Sequence, residues 1–345
     1  MATAMLLRKN LLVCILIVGL MLLAGCGTKS NSPGNTTSNT NEVKETKSSQ
    51  NQPVNLRWGT ITAGGAWQVI GNAMLEDVKK ANSNITGSTL PSTTTGNVMG
   101  VHQGKFDIAF SIADTTAAAW NGEGYFKQSG KIDDIREVAA LYPQSSHIVV
   151  WADSNINSIA DLKGKRVSPG AKGLSSDVEF QRLLKAYGMS LSDVKISYLS
   201  FDDASQQMID GHLEALVFAT VPPPYAPVVS VGSQKQIKLL EIPDDKIAEM
   251  TKYQGVQAYE LPAGTYKGID KPVKGIMSRS HIIVRKDMPD DVVYNIVKSL
   301  AENFPRYKEV LASMKYTNAE DMATDVGIPM HPGALKYYKE KGWIK

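Results

Sequence analysis

Beyond residue 53 the rhythm of apolar and polar positions changes repeatedly. Val54, Leu56 and Trp58 alternate with polar neighbours, which predicts a strand, and apolar side chains at helical spacing predict a helix over residues 66–81. Between them lies the glycine-containing stretch 59–65, so the opening unit reads as strand, turn, helix. A candidate strand over 85–90 leads into Pro91-Ser92-Thr93-Thr94-Thr95-Gly96 and a short helix ending at Gly104. Residues 106–111 alternate again, and Asp114 is placed to cap a helix that runs through Trp120 until Gly122-Glu123-Gly124 breaks it. Two β-like runs, 138–142 and 147–151, then flank Pro143-Gln144-Ser145-Ser146, and the second is the candidate strand leaving the first domain.

The second part repeats the logic. A short helix ends at Gly164, a strand begins near Arg166, and the loop Gly170-Ala171-Lys172-Gly173-Leu174-Ser175-Ser176 opens a helix whose apolar face is Phe180, Leu183, Leu184 and Tyr187. Ser176 and Glu179 have capping-box spacing, and Gly188 ends the helix. A strand over 194–199, a helix over 203–209 closed by Gly211, and a strand over 213–220 running into Val221-Pro222-Pro223-Pro224 follow. Residues 255–263 look irregular. A strand over 276–284 reads as the return to the first domain, and a helix over 292–304 shows Val293, Ile296, Val297 and Leu300 on one face. Strands and helices thus alternate through two halves, and the expectation is an α/β chain of two doubly wound sheets joined by a hinge. Such sheets bind ligands at the carboxyl ends of their strands, so two facing sheets make a cleft.

The first fifty residues change the picture of where the chain works. Arg8-Lys9 precede an apolar run over 11–23, shorter than the roughly 20 residues a bilayer-spanning helix needs, and the run ends Leu23-Ala24-Gly25-Cys26. This reads as a secretory leader over 1–25. Small residues before Cys26 resemble the lipobox of bacterial lipoproteins, which makes Cys26 the lipidation site; a plain signal peptide is the alternative. Residues 26–52 are Ser, Thr, Asn, Lys and Glu with almost nothing apolar, as in a flexible tether. Cys14 lies in the leader, so the mature chain would form no internal disulfide. With 345 residues, 43% hydrophobic and 21% charged, the chain has room for two ordinary domains and a large core. The formal charge of +3 carries no nucleic-acid footprint. Secretion, a tether and a two-lobed cleft together point to a substrate-binding protein.

Gly59-Thr60, Gly64-Gly65, Phe106-Asp107-Ile108-Ala109-Phe110, Ala140-Leu141-Tyr142-Pro143, Leu162-Lys163-Gly164-Lys165-Arg166-Val167, Leu261-Pro262-Ala263-Gly264-Thr265-Tyr266 and Ile328-Pro329-Met330-His331-Pro332-Gly333-Ala334 together resemble the TAXI family, the extracytoplasmic solute receptors of TRAP transporters. The resemblance spans about residues 54–342. It implies a two-lobe periplasmic-binding-protein fold (type II), with lobe I over 53–146 and 273–345 and lobe II over 147–272. It also implies a small organic acid or amino acid as ligand, glutamate or 2-oxoglutarate-like, delivered to an ion-gradient-driven TRAP permease. Carried over position by position, its binding residues are Thr60, Gly64, Gly65 and Trp67; Thr93, Thr94 and Thr95; and Gly173, Leu174, Ser175 and Ser176. Tyr142, Thr220, Val221 and Pro222 are added at the floor and mouth of the cleft. Ile61-Thr62, Trp67-Gln68 and Gly173-Leu174-Ser175-Ser176 depart from the family's pattern, and Trp67 and Leu174 would make the pocket more apolar on two sides.

An ABC-importer binding lipoprotein and a ligand-binding sensory module are the alternatives to the TRAP receptor. No cofactor and no metal are expected, because His102, His147, His212, His281 and His331 lack ligand spacing and no Walker-type loop or Gly-x-Ser-x-Gly elbow occurs. Ser192-Asp193-Val194-Lys195 is a single Ser-x-x-Lys match, and the reading is of a binder rather than an enzyme. The expected setting is the outer face of a plasma membrane, in a Gram-positive cell, as a monomeric lipoprotein.

Overall fold

A computed structural model describes residues 53–62 and 65–345. The leader, Cys26, the tether and Gly64 lie outside the described residues. In chain order the first elements are β1 (Val54–Gly59), α1 (Ala66–Ala81), β2 (Ile85–Leu90), α2 (Thr94–His102), β3 (Ile108–Ile112), α3 (Ala113–Asn121) and β4 (Ile135–Trp151). The second part contributes β5 (Arg166–Ser168), α4 (Ser175–Ala186), β6 (Lys195–Ile196), α5 (Phe201–Ile209), β7 (Ala215–Thr220), α6 (Ala226–Gln234), β8 (Ile237–Leu239), α7 (Asp244–Met250) and β9 (Gln257–Leu261). β10 (Val273–Arg285) then leads to α8 (Asp290–Glu302), α9 (Phe304–Val310) and α10 (Pro332–Glu340).

The strands form one ladder with two similar halves. Its order is β2-β1-β3-β10-β4-β7-β5-β6, with β8 also on β4 and β9 also on β10. The first half therefore reads β2-β1-β3-β10-β4 and the second β6-β5-β7-β4-β8. Within each half, the first strand pairs in parallel with its two successors, β1 with β2 and β3, β5 with β6 and β7. The chain is mixed α/β with two halves, as expected, but the two sheets run into each other through β4 and β10.

Burial follows the same division. Leu56, Trp58, Ile70, Phe110, Ile282 and Val297 pack on one face of the first half, and Val98, Val101, Ile135 and Ile283 on the other. In the second half Ile148, Phe180, Leu183 and Val217 fill one face, and Val149, Phe218, Val228 and Tyr266 the other. α1 joins the first core through Trp67, Ile70, Met74 and Val78, an apolar stripe three and four residues apart.

Three local expectations are corrected. Pro143-Gln144-Ser145-Ser146 does not separate two runs: it lies inside β4, whose residues up to Ser145 pair with β10 and whose residues from Ser145 onward pair with β7. Pro143 is tolerated because it falls next to a register shift, where a missing amide costs little. Residues 255–263 are not irregular throughout, since β9 pairs with β10 from Gln257 to Leu261; its largely exposed edge leaves no alternation to read. The strand expected over 194–199 shrinks to the two-residue β6.

Candidate functional site

Where β4 and β10 pass from one half to the other, alternate residues turn polar side chains to a buried seam. Tyr142, Gln144, Ser278 and Ser280 are all at most 5% exposed. The Tyr142 hydroxyl lies beside Trp67, Ser280 and Gln144, and burial raises its pKa. Trp67 Nε1 donates to Ser280 Oγ at 3.0 Å. Ser278 Oγ accepts from the amide of Asp114 at 3.2 Å and donates to the Gly255 carbonyl at 2.9 Å. Ser146 donates to the Glu179 carboxyl group. Side chains of both halves converge on this polar floor.

The walls meet across it. The Thr95 amide and hydroxyl both donate to the carbonyl of Gly173, at 3.1 and 3.2 Å. Tyr125 of the first half donates to Asp177 of α4, which also accepts from the Gly173 amide at 2.9 Å and from Gln181 at 3.0 Å. Arg182 of α4 pairs with the buried carboxylate of Asp114, and its Nη2 donates to the Asp114 carbonyl at 3.1 Å. Its guanidinium also lies 4.7 Å from the ring centroid of Tyr253. Glu179 is buried beside this pair. Desolvation first, and the neighbouring Asp114 second, push its pKa up to about 8.

The residues expected from sequence are distributed unevenly over this seam. Thr93, Thr95 and Gly173 are brought together, and Gly173 is at φ +83° with Thr95 Oγ1 only 2.5 Å from where a Cβ would stand. Thr93 caps α2 through the Gly96 amide, and Thr94 is buried beside it. Gly65 is the N-cap of α1, pressed against Ile61. Thr60 turns away, its hydroxyl donating to the Leu90 carbonyl at 3.1 Å. Trp67 is only 4% exposed and stacks on Phe110 with centroids 5.7 Å apart, so its ring belongs to the first core and only its N–H reaches the floor. Ser175 and Ser176 donate to the carbonyls of Ala219 and Pro169, within the second half. The capping box expected from Ser176 and Glu179 does not form: Leu174 is the N-cap, and Glu179 reaches the seam instead. Likewise Asp114 lies inside the first turn of α3 after the N-cap Ile112, its carboxylate drawn to Arg182. Val221 packs against the first core, and Pro222 lines a mouth of the seam. Thr220 pairs with Ser145 through its backbone.

Two clefts open at the edges of the closed seam. One, of about 610 Å³, is lined by Asp114, Arg182, Lys185, Glu249, Lys252 and Tyr253 among others. The other, of about 420 Å³, has Pro143, Ser145, Pro222, Tyr259, Thr265 and Tyr316 in its wall. Sequence reasoning missed Gln144, Ser146, Ser278, Ser280, Glu179 and Arg182. The signal available for four of them was a contiguous polar run, Gln144-Ser145-Ser146-His147 and Ser278-Arg279-Ser280-His281, flanked by the apolar residues of two long strands.

A family model described as the NMT1-like family matches residues 58–342 of this chain. The chain belongs to the NMT1-like family. The matched span contains the polar floor, α4 and both clefts. Among solved structures, the NMT1-like chain is similar to the periplasmic aliphatic sulphonate binding protein SsuA from Escherichia coli, at 16% identity over 84% of each chain with a TM-score of 0.46. It is also similar to a structure concerned with glutathione import via GshT and the cystine ABC importer TcyBC of Streptococcus mutans, at 13% identity over 79% of this chain and 100% of that one, TM-score 0.49. A putative L-cystine ABC transporter from Listeria monocytogenes matches at 14% identity over 78% and 99%, TM-score 0.45. Among the described residues of the NMT1-like chain, no group of three or more His, Cys, Asp or Glu side chains is arranged to hold a metal ion. Ser192 is exposed in a one-turn 3₁₀ helix, hydrogen-bonded to Ser190 at 2.8 Å. His331 accepts from the Gly333 amide as the cap of α10.

Proposed function

We propose that this chain is an extracytoplasmic solute-binding receptor that closes its two halves on a small molecule and presents the closed form to a membrane importer. The observation that carries the reading is the seam itself. Two strands cross a polar floor, and the walls on either side meet through polar bonds that include Thr95 to Gly173, Tyr125 to Asp177 and Asp114 to Arg182. A polar contact between two separately cored halves is suited to opening and closing. The reading assigns no turnover to the chain, and a lipid anchor at Cys26 would keep it beside its importer.

For the partner, an ABC-type importer, the kind of transporter named for two of the similar solved structures, comes first and the TRAP permease of the sequence resemblance second. A neighbouring ATPase gene supports the former, a multi-span TRAP permease gene the latter. The carboxylate solute implied by the resemblance is left out of the reading. Arg182 is already paired with Asp114, the Gly173 amide at the start of α4 is held by Asp177, and Thr93 caps α2, so an acid would have to displace the protein's own groups. Thermal shift of the purified mature chain against a broad library of polar metabolites tests the receptor reading. A concentration-dependent rise in Tm with one chemical class is expected; a folded protein whose Tm no compound moves rejects it.

A further inference from the structure

Where α3 of the first half meets α4 of the second, three ionisable side chains are sealed together. Asp114 and Glu179 are at most 1% exposed, and Arg182 is the cation beside both. Arg182 gives its guanidinium to Asp114, at the carboxylate and at the backbone carbonyl, with the Tyr253 ring against it. Glu179 is left with the Ser146 hydroxyl of β4 as donor to one oxygen; its Oε1 has no hydrogen-bond partner, and neither has Asp114 Oδ1. Two buried carboxyl groups thus share one guanidinium across the seam, and like charges held this close in a low dielectric do not both ionise.

Among the described residues packed on α4, none supplies the missing positive charge. β7, Ala215–Thr220, has no titratable side chain. On β4, His147 follows Ser146 but points to the opposite face, edge-on against Tyr266 within the second half, and burial lowers its pKa to about 4. On β10, Ser278 is neutral and bonded to the Asp114 amide and the Gly255 carbonyl. On α7, Lys246 is drawn to the Ala186 carbonyl at the far end of α4, with Asp245 and Glu249 as its ion partners. On α4 itself, Asp177 accepts from Tyr125 and Gln181. Glu123, Lys185 and Lys252 line the open cleft beside Arg182 and are exposed.

Opening the seam draws Asp114 away from Glu179 and lets water reach both. We propose that closure of the two halves takes one proton from solvent onto Glu179, so that pH sets the balance between the open and closed forms. In the open form Glu179 is an ordinary carboxyl group, ionised above about pH 4.5. In the closed form burial first, and Asp114 second, push its pKa up to about 8. Between those two values closing binds a proton, so the closed form loses ground as pH rises and keeps a constant share above the higher one. On the receptor reading above, on which this rests, a solute is gripped harder in mildly acid surroundings than in alkaline ones.

The seam can be read without a ligand from hydrogen exchange of the Thr95 amide. That amide lies in the first turn of α2, where helix amides lack an internal partner, and donates across the seam to the Gly173 carbonyl at 3.1 Å. In the purified mature chain, with rates corrected for base catalysis, Thr95 is expected to exchange faster than the core amides of β10, and its protection to fall about tenfold per pH unit between about pH 5.5 and 7.5. Glu179→Gln, which keeps the shape of the protonated group, is expected to make the protection independent of pH. Asp114→Asn leaves Arg182 to Glu179 and is expected to shrink the total loss about tenfold or more. Protection that pH leaves unchanged in the parent overturns the proposal, as does an equal slope in parent and Glu179→Gln, or Thr95 exchange no faster than that of the β10 core. If circular dichroism shows Glu179→Gln unfolded, Asp114→Asn decides, and a parental pH dependence in that variant overturns the proposal. The receptor reading is judged separately, by the metabolite library.

Discussion

Arg182 of the second half grips Asp114 of the first at two points, pairing with its carboxylate and donating to its backbone carbonyl at 3.1 Å. Asp114 is wholly buried and Arg182 is 11% exposed on its side chain. Removing the guanidinium leaves a carboxylate in the seam without compensation. Arg182→Met is expected to cost the closed form about 3–5 kcal/mol. The measurement is small-angle scattering with thermal denaturation: a larger radius of gyration with the cores intact is the outcome that fits, and an unchanged radius contradicts it. Arg182→Lys is expected to recover only part, because a lysine cannot reach carboxylate and carbonyl from one planar group.

Glu179 gives the fold a pH dependence of defined sign. Its pKa is raised from the ordinary carboxylate range to about 8 by burial and by Asp114. Below about pH 4.5 the group is protonated folded and unfolded alike. As pH rises towards 8 the unfolded chain releases the proton and the buried group keeps it, so stability falls across that window and levels above it. Glu179→Gln removes this contribution. The variant is expected to match the parent near pH 4.5 and to exceed it at pH 7 by up to about 3 kcal/mol, read by urea denaturation at each pH. Parallel pH profiles for the two proteins would refute the assignment.

Gly173 and Thr95 are in contact through atoms that leave no space for a methyl group. Gly173 holds φ +83°, and an added Cβ would lie 2.5 Å from Thr95 Oγ1. Gly173→Ala is expected to destabilise the closed form by both strain and clash, the left-handed backbone alone costing about 1–2 kcal/mol. Adding Thr95→Ala should return the part due to the clash and leave the backbone part. A double variant no more closed than the single, by scattering, would show that the two residues do not meet.

Trp67 separates packing from hydrogen bonding. Trp67→Ala empties space beside Phe110 and is expected to cost about 3–5 kcal/mol of stability. Trp67→Phe keeps a ring on Phe110 and removes the bond to Ser280 together with the second ring of the indole, a smaller loss of about 1–3 kcal/mol. Equal losses in chemical denaturation would falsify the placement of this ring in the first core.

The sequence by itself determined the elements and their alternation. α1 falls at residues 66–81 as read from periodicity, because it buries one continuous stripe, and β2 falls at 85–90 although only Ile85 of it is buried. It also located the glycine at 173, whose positive φ and closeness to Thr95 fit a loop of the kind expected there. What only the tertiary structure decided is which polar residues meet. Arg182 carried no local signal, and Asp114 and Glu179 read as a cap and half of a capping box, each satisfied by local geometry. They leave those local roles because helices 68 residues apart in the chain come within bonding distance over the crossing strands. A strand that changes partners midway, as β4 does at Ser145, has the same local pattern on both sides of the change. Periodicity records which face of a strand is buried; it holds no record of what that face is buried against.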